Sequence, residues 1–461
     1  MPRALWIVLA FAVSLPAVTT RIYASDEVQY FAYLRSLWFD GDVSFDNEYQ
    51  HFYDAGVARS QNYHETFLER TTETGRRINF ATIGCALLWS PFYAAADVAV
   101  RTGLIAARAD GFSRPYVAAV AYASAFYGLL ALLLSVHAVS LIGRGWPELA
   151  RSGPLAAALI WLGTPLLFYM YVAPPMSHAT SAFAVALFLV VWLHVRERWS
   201  LAGLASLGAA AALMAMVREQ DAFVAAGAAV DFLHTQLTRR DEGWGRRWGH
   251  ALAGAGVAAA AFAPQALAYL ALNGRIGPSR LVARKMTWTA PHGIDVLASP
   301  SHGFFWWTPL AVVAIAGLAV LWRKLPRDTR VISLSLAVMV ALQIYVAGSV
   351  ESWTVAGAFG QRRFVALTSI LVIGLAAILA AATRPRALRM GTVAVLAIAC
   401  WWNVALIAQF GAGMMNRQRL ELPRIAYNTF VVMPRALPDL AWRYLFDRAS
   451  FYESAKRLRD R

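Results

Sequence analysis

The sequence predicts an all-α, polytopic membrane protein of about eleven transmembrane helices, with a long first extracytoplasmic loop that carries interfacial amphipathic helices. Three observations predict it. The 461 residues are 59% apolar and 15% charged, with a mean hydropathy of +0.48, whereas a soluble domain averages about 25% charged. The apolar residues cluster in blocks of about 20, the length that spans a hydrocarbon core. Basic residues gather in alternate loops, as the positive-inside rule requires of cytoplasmic ones. This composition excludes a soluble enzyme, a fibrous protein and a disordered chain. Cys85 and Cys400 stand in unrelated apolar stretches, so neither a structural disulfide nor a thiolate metal site is expected.

The elements follow in order. Residues 1–21 have a basic start and an apolar run from Ala4 to Val18. With Tyr-Ala-Ser at 23–25 this imitates a cleaved signal. An uncleaved first span is the preferred reading, because it holds Asp26 at the membrane surface. Further spans read at 115–142, 154–173, 178–195, 200–217, 222–238, 250–272, 304–322, 331–349, 364–382 and 390–409. The loops at 143–153, 196–199, 239–249, 323–330 and 383–389 hold fifteen basic residues, among them Arg239, Arg240, Arg246, Arg247, Arg323, Lys324, Arg384 and Arg386. The opposite loops hold seven in greater total length, so the first set is expected in the cytoplasm. That orientation works only if residues 79–98, which contain Pro91 and Asp97, lie at the outer face without crossing.

The whole chain, 1–461, then reads as one membrane-embedded domain. It has a first extracytoplasmic loop at 23–114, a second at 273–303 and an extracytoplasmic tail at 410–461. A twelve-span form with a cytoplasmic tail is the alternative, since Arg417, Arg419 and Arg424 lie close to the last span. The net charge of +15, from 42 basic and 27 acidic residues, calls for no nucleic acid: loop orientation accounts for most of it. Only Lys285, Lys324 and Lys456 are lysines, so arginine carries the charge, the better fork for carboxylate and phosphate.

Residues that carry chemistry concentrate at the outer ends of spans. Ser25-Asp26-Glu27 opens a stretch in which Val28, Phe31, Leu34, Leu37 and Trp38 recur at helical spacing. Gly41 is its expected stop and Ser25 its expected cap. Acidic residues in a first turn answer the helix dipole, but a carboxylate fixed there could also take a proton from a substrate hydroxyl. Asp42, Ser44, Asp46 and Glu48 alternate like oxygen ligands for a hard cation, without a recognised calcium-loop spacing. A solvated acidic face is the plainer reading of that segment, which also carries His51, Arg59, His64, Glu65, Arg70, Arg76 and Arg77. Cations and imidazoles come from four outer loops: His178, Arg218, then Arg275, Arg280, Arg284, Lys285 and His302, then Arg362 and Arg363. Singly each reads as a headgroup anchor, but together they put positive charge on the face where orientation does not need it, and holding a leaving phosphate would give it a purpose. Trp288, Trp306, Trp307 and Trp353 mark the same face; an interfacial belt is the plainer account and sugar stacking the functional one. Gly303, Gly357 and Gly360 punctuate these segments and suit backbone that approaches a ligand.

The ordered set resembles the class C glycosyltransferases, a superfamily that includes the protein O-mannosyltransferases and the bacterial enzymes that place aminoarabinose on lipid A. The resemblance rests on Asp26-Glu27 with SLWFDGD, LWSPFY at 88–93, ADGFSRPY at 109–116, Met176-Ser177-His178, Pro264-Gln265, SPSHGFFWWTP at 299–309 and FGQRRF at 359–364. It implies a sugar donor carried on polyprenyl phosphate, a hydroxyl acceptor in the cell envelope and contact with membrane lipids. The Asp26-Glu27 pair supplies the expected catalytic carboxylates, and Asp26 matches the family's catalytic aspartate, the base for inverting attack at the anomeric carbon. The family's outer-loop cations neutralise the leaving lipid phosphate, and Arg218, Arg284, Lys285, Arg362 and Arg363 are the candidates by position. His178, His302, Trp306 and Trp353 are candidate substrate contacts. The lysine-proline-proline and histidine-proline-proline signatures of the two subfamilies are missing, with Ser90-Pro91 near their place, which leaves sugar and acceptor open. Members differ in their need for a divalent cation, so the metal stays open. A lipid-linked sugar flippase or other transporter is the alternative, against which the near absence of charge inside the spans counts; a membrane scaffold is the third.

Overall fold

The computed structural model describes residues 4–57, 62–239, 243–382 and 386–459. Arg59, Arg240 and Arg384 lie outside them. Among the described residues the chain is all-helical, with an isolated bridge between Thr71 and Arg77 as its β pairing. Five helices are long and apolar enough to cross a membrane: Arg114–Gly145, His178–Val195, Val331–Gly348, Arg362–Ala381 and Met390–Gly411. A sixth follows if Trp244–Ala261 and Ala263–Asn273, bent by 46°, count as one span.

These agree with the expected spans at 115–142, 178–195, 331–349, 364–382, 390–409 and 250–272. The other expected spans are short or broken, and proline explains two of the breaks. The expected span at 154–173 divides into Pro147–Gly163 and Leu166–Tyr171 around Thr164-Pro165. The one at 304–322 divides into Phe304–Trp307 and Pro309–Lys324, because Pro has no N–H to continue a ladder and confines the residue before it to extended backbone. The first apolar segment runs Leu5–Ala17, and Leu201–Val217 is likewise short. Gly84–Arg101, which holds the expected non-crossing segment, is not among the long apolar helices.

The chain folds as two compact units. One contains Met1–Ala17, Leu132–Phe168 and Thr287–Arg461; the other contains Val18–Ala131 and Tyr169–Met286. In the first, buried Asn403 donates to the Leu162 and Thr164 carbonyls at 2.7 and 3.0 Å, satisfying oxygens that the break at Pro165 strands. An unsatisfied carbonyl in hydrocarbon costs several kcal/mol, roughly, so a break of this kind persists only with such a partner. In the second unit, buried Asp231 accepts from Trp192 Nε1 at 3.0 Å and pairs with Arg196 at 2.8 Å.

Each unit also has a crossing where backbone meets backbone at glycine. A Cβ on Gly317 would stand 1.9 Å from the Gly374 carbonyl oxygen, and one on Gly208 would stand 2.1 Å from that of Gly254. Small residues at helix crossings are how apolar helices gain packing where lipid gives no hydrophobic drive. Gly317→Val is therefore expected to destabilise the protein by more than about 3 kcal/mol, since relief must come from backbone shifts. The thermal midpoint in detergent measures this, and a midpoint unchanged within a degree or two would refute the tight crossing.

The segment after the first helix departs from the expected surface helix. Ser25–Arg35 is a helix, continued by a π-helical turn, Ser36–Asp40, that ends at Gly41 with φ of 72°, as expected for the stop. Its first-turn residue is Ser25, however, and the cap position is Ala24. Nor does it lie on a surface with one wet face. Val28, Phe31 and Leu34 are buried, but so are Gln29, Tyr33 and Ser36 on other faces, while Leu37 and Trp38 at its end are exposed. Gln29 and Ser36 can be buried because each finds a partner, whereas the buried Tyr33 hydroxyl has none among the described residues. Gln29 Oε1 accepts from the Phe80 N–H at 2.8 Å, Ser36 donates to Asp42 at 2.8 Å, and Arg35 pairs with Glu48 at 3.0 Å.

Candidate functional site

Asp26, Glu27, His178, Arg218, Arg284 and Lys285 belong to the unit of Val18–Ala131 and Tyr169–Met286, and His302, Trp306, Trp353, Arg362 and Arg363 belong to the other.

In the first group the helix Ser25–Arg35 fixes the acids. Glu27 is buried, and its Oε2 accepts from the backbone N–H of Tyr23 at 2.6 Å and of Ala24 at 3.1 Å. It therefore reaches back over the helix start as the acidic half of a capping box, which is a structural duty. Asp26, beside it on the first turn, is half-buried. The helix is held from outside as well, where Asn79 donates to the Gln29 carbonyl at 3.1 Å; Gln265 Oε1 accepts from the N–H of Ile83, the cap of the helix Gly84–Arg101, at 2.8 Å.

Arg218 sits where the helix Leu201–Val217 stops. Its backbone is extended, at φ −154° and ψ 122°, before a tight turn over Glu219–Val224. The turn is pinned by Thr82, which donates to the Val217 carbonyl at 2.8 Å, and by Gly84, which lies against the Met216 and Val217 backbone. Arg218 donates to His178 Nδ1. Because an arginine can only donate, Nδ1 carries the lone pair and the His178 proton sits on Nε2. His178 is buried and rests on the Tyr169 ring at 4.3 Å. Asp26 and Arg218 both act on Tyr30: burial pushes this phenol up to about 12, against the pull of Arg218, with Asp26 adding to the rise.

Two further carboxylates line the turn, and sequence reasoning passed over their partners. Asp221 is buried and accepts from Ser181 at 2.5 Å. Burial pushes it up to about 6, opposed by Arg218 and by the hydrogen bonds from Ser181 and Gln220. Glu219 accepts from the Tyr269 hydroxyl and is likewise raised by burial. The signal available in the sequence was the isolated polar residue in an apolar helix, Ser181 or Tyr269, whose partner lies 40 or 50 positions away.

These acids set a pH dependence. Burial raises Glu27 from 4.5 to about 7, opposed by the Tyr23 and Ala24 hydrogen bonds and helped by Asp26. The folded protein thus holds this proton more tightly than the unfolded chain. Stability is greatest below about pH 4.5, falls as pH rises through 7, and for Glu27 alone the loss is on the order of 3 kcal/mol. Asp221 adds a loss between about pH 4 and 6 of the same sign. The thermal midpoint in detergent should drop from pH 5 to pH 8, and Glu27→Gln should flatten most of the drop; a midpoint that rises over this range would refute the burial of these acids.

Arg284 and Lys285 are exposed. Arg284 ends the short helix Arg280–Arg284, whose cap Ser279 accepts from Leu281 at 3.3 Å, and Lys285 lies 5.5 Å from the Phe80 ring centre.

In the other unit, His302 is fully buried, stacks on Trp307 at 5.1 Å, and makes a 2.9 Å bond from Nε2 to the Arg417 carbonyl. A carbonyl only accepts, so Nε2 carries the proton; burial lowers the imidazole pKa, and Arg362 lowers it further against the Arg417 bond. Gln361 donates to the His302 carbonyl at 3.2 Å and the Trp353 carbonyl at 2.9 Å. Arg363 is buried and spends its guanidinium on Ser352, at 2.9 Å to the carbonyl and 3.2 Å to the hydroxyl. Trp353 stacks on His292 at 5.3 Å, and exposed Trp306 donates to the Ala298 carbonyl at 2.7 Å. The glycines at 357 and 360 have φ of 85° and 62°, and between these motifs Val355, with φ of 45°, is forced into the same left-handed region, a strained state for a β-branched residue.

The run Asp42, Ser44, Asp46 and Glu48 does not form a cation cage. Asp42 Oδ1 accepts from Ser36 at 2.8 Å and from the Ser44 N–H at 2.9 Å, Asp46 pairs with Arg77 at 2.7 Å, and Glu48 pairs with Arg35. Among the described residues no three His, Cys, Asp or Glu side chains surround a common point for a metal. No protein-family model matches the chain, and no curated protein matches it.

Proposed function

We propose that the protein is an inverting glycosyltransferase that moves a sugar from a polyprenyl-phosphate donor to a hydroxyl acceptor, with Asp26 as general base. What supports the reading is that Asp26, on a helix start pinned by Glu27, and Arg218 lie in the same unit and both act electrostatically on one phenol, Tyr30. In this reading the Asp26 carboxylate takes the acceptor proton and the freed oxygen attacks the anomeric carbon. The bond from that carbon to the phosphate oxygen breaks, and the electron pair leaves on polyprenyl phosphate. Such a leaving group is good only if its charge is offset, and Arg218 is the cation best suited. Arg284 and Lys285, in the same unit, are further candidates. Glu27 supports the turn and is assigned no proton transfer.

The finer topology belongs to the same proposal: eleven spans with the amino end inside, residues 79–98 at the outer face, and the reaction at the outer face of a bacterial cytoplasmic membrane. His178, in the same unit as Asp26, would contact the sugar or acceptor. The test supplies membranes containing the protein with labelled polyprenyl-phosphate sugars and measures release of lipid phosphate. Label that changes leaflet with its phosphate bond intact would identify a flippase instead, and label that neither moves nor breaks would leave the scaffold reading.

A further inference from the structure

Within the unit that contains Thr287–Arg461, the helices Pro309–Lys324 and Val331–Gly348 form a hairpin joined by a turn over 325–330. Between them runs an apolar groove of about 470 Å³. Ile315 and Trp322 form one wall, and Leu334, Ala337, Ala341 and Ile344 form the other. The Ser333 hydroxyl in the lining is already donated to the Leu318 carbonyl at 2.7 Å. Counted along the helices, the groove runs roughly 10–15 Å from the turn, which matches one leaflet, about half of a 30 Å hydrocarbon core.

Its mouth is basic. Arg323, Lys324 and Arg327 are exposed and make no ion pair among the described residues, and half-buried Arg330 donates to the Leu325 carbonyl at 3.2 Å. Asp328 is the one acid in this stretch. Trp322, 42% exposed, stands at the same end, the place an indole takes at the boundary between hydrocarbon and headgroups.

We propose that this groove and its mouth bind one anionic phospholipid, with an acyl chain between the two helices and the headgroup phosphate held by Arg323, Lys324 and Arg327. Charge decides between occupants. A second copy of the chain docking symmetrically through this face would set one basic turn against its twin, and a neutral lipid would leave the cations unanswered. A diacyl lipid with a net negative head answers both the apolar wall and the unpaired charge. The site is independent of the glycosyltransferase reading, since it uses none of the residues assigned there.

The full chain, purified in mild detergent and stripped of lipid, is offered phosphatidylglycerol or phosphatidylcholine with identical chains, and retained lipid is measured by native mass spectrometry. Wild type should retain phosphatidylglycerol roughly tenfold more tightly. The combined exposed variant Arg323→Gln, Lys324→Gln, Arg327→Gln should bring the two lipids level. Ala341→Phe, which fills the groove and leaves the charges in place, should weaken both, with helix content and thermal midpoint confirming that each variant is folded. Equal retention of the two lipids by wild type, a preference that survives loss of the three cations, or a dimer that Ala341→Phe dissociates while lipid binding stays unchanged would each overturn the proposal.

Discussion

Asp26→Asn is expected to reduce sugar transfer by roughly 100- to 10,000-fold, the span a positioned general base contributes, while the protein stays folded. The substitution keeps the size of the side chain and leaves the helix start intact, because Glu27 and not Asp26 supplies the two backbone bonds that hold it. Glu27→Gln is the matched control. An amide oxygen can accept from Tyr23 and Ala24 as the carboxylate does, so activity should stay within about tenfold of wild type. Release of lipid phosphate from labelled donor, measured beside the thermal midpoint, separates the two. Near-normal transfer by Asp26→Asn, or a Glu27→Gln enzyme as inactive as that variant, would remove Asp26 from the proposed role.

Arg218→Gln should lower the maximal rate by roughly 100- to 1,000-fold, comparable to loss of one donor that stabilises developing negative charge. The effect should fall on kcat more than on KM for the donor, since the phosphate gains charge as the sugar leaves. Inhibition by the product, polyprenyl phosphate, should weaken in parallel. Arg218 also holds His178 and faces buried Asp221, so loss of folding must be set apart. Arg218→Lys keeps a positive charge near Asp221 and should restore stability more fully than it restores rate, because an ammonium does not reproduce the planar fork. Equal recovery of both would mark Arg218 as a structural cation and leave the proposal without its phosphate-binding group.

Much of the helix inventory was legible because apolar block length is a local property. The spans at 178–195 and 331–349 fall within a residue of the helices found. The breaks at Pro165 and Pro309 were local too, and went unread because hydropathy averages over them. The Gly41 stop was read from one residue, and φ of 72° is what that reading requires. The expected surface helix at 25–38 differs for another reason: its polar residues find protein partners far along the chain, buried Gln29 at 51 positions and half-buried Arg35 at 13.

The site divides along the same line. Asp26, Arg218 and His178 could be singled out because a charge or an imidazole at the end of an apolar helix is conspicuous in a sequence. That Glu27 is consumed as a cap, that Arg363 is engaged by Ser352, and that Asp42, Asp46 and Glu48 are taken up by protein partners could not be read there. Sequence alone determined that this chain is helical and apolar, with several helices long and apolar enough to cross a membrane, since those properties sum over neighbours along the chain. Tertiary structure decided which polar groups remain open for chemistry, because a hydrogen bond needs its two ends within about 3 Å, and only folding brings distant ends that close.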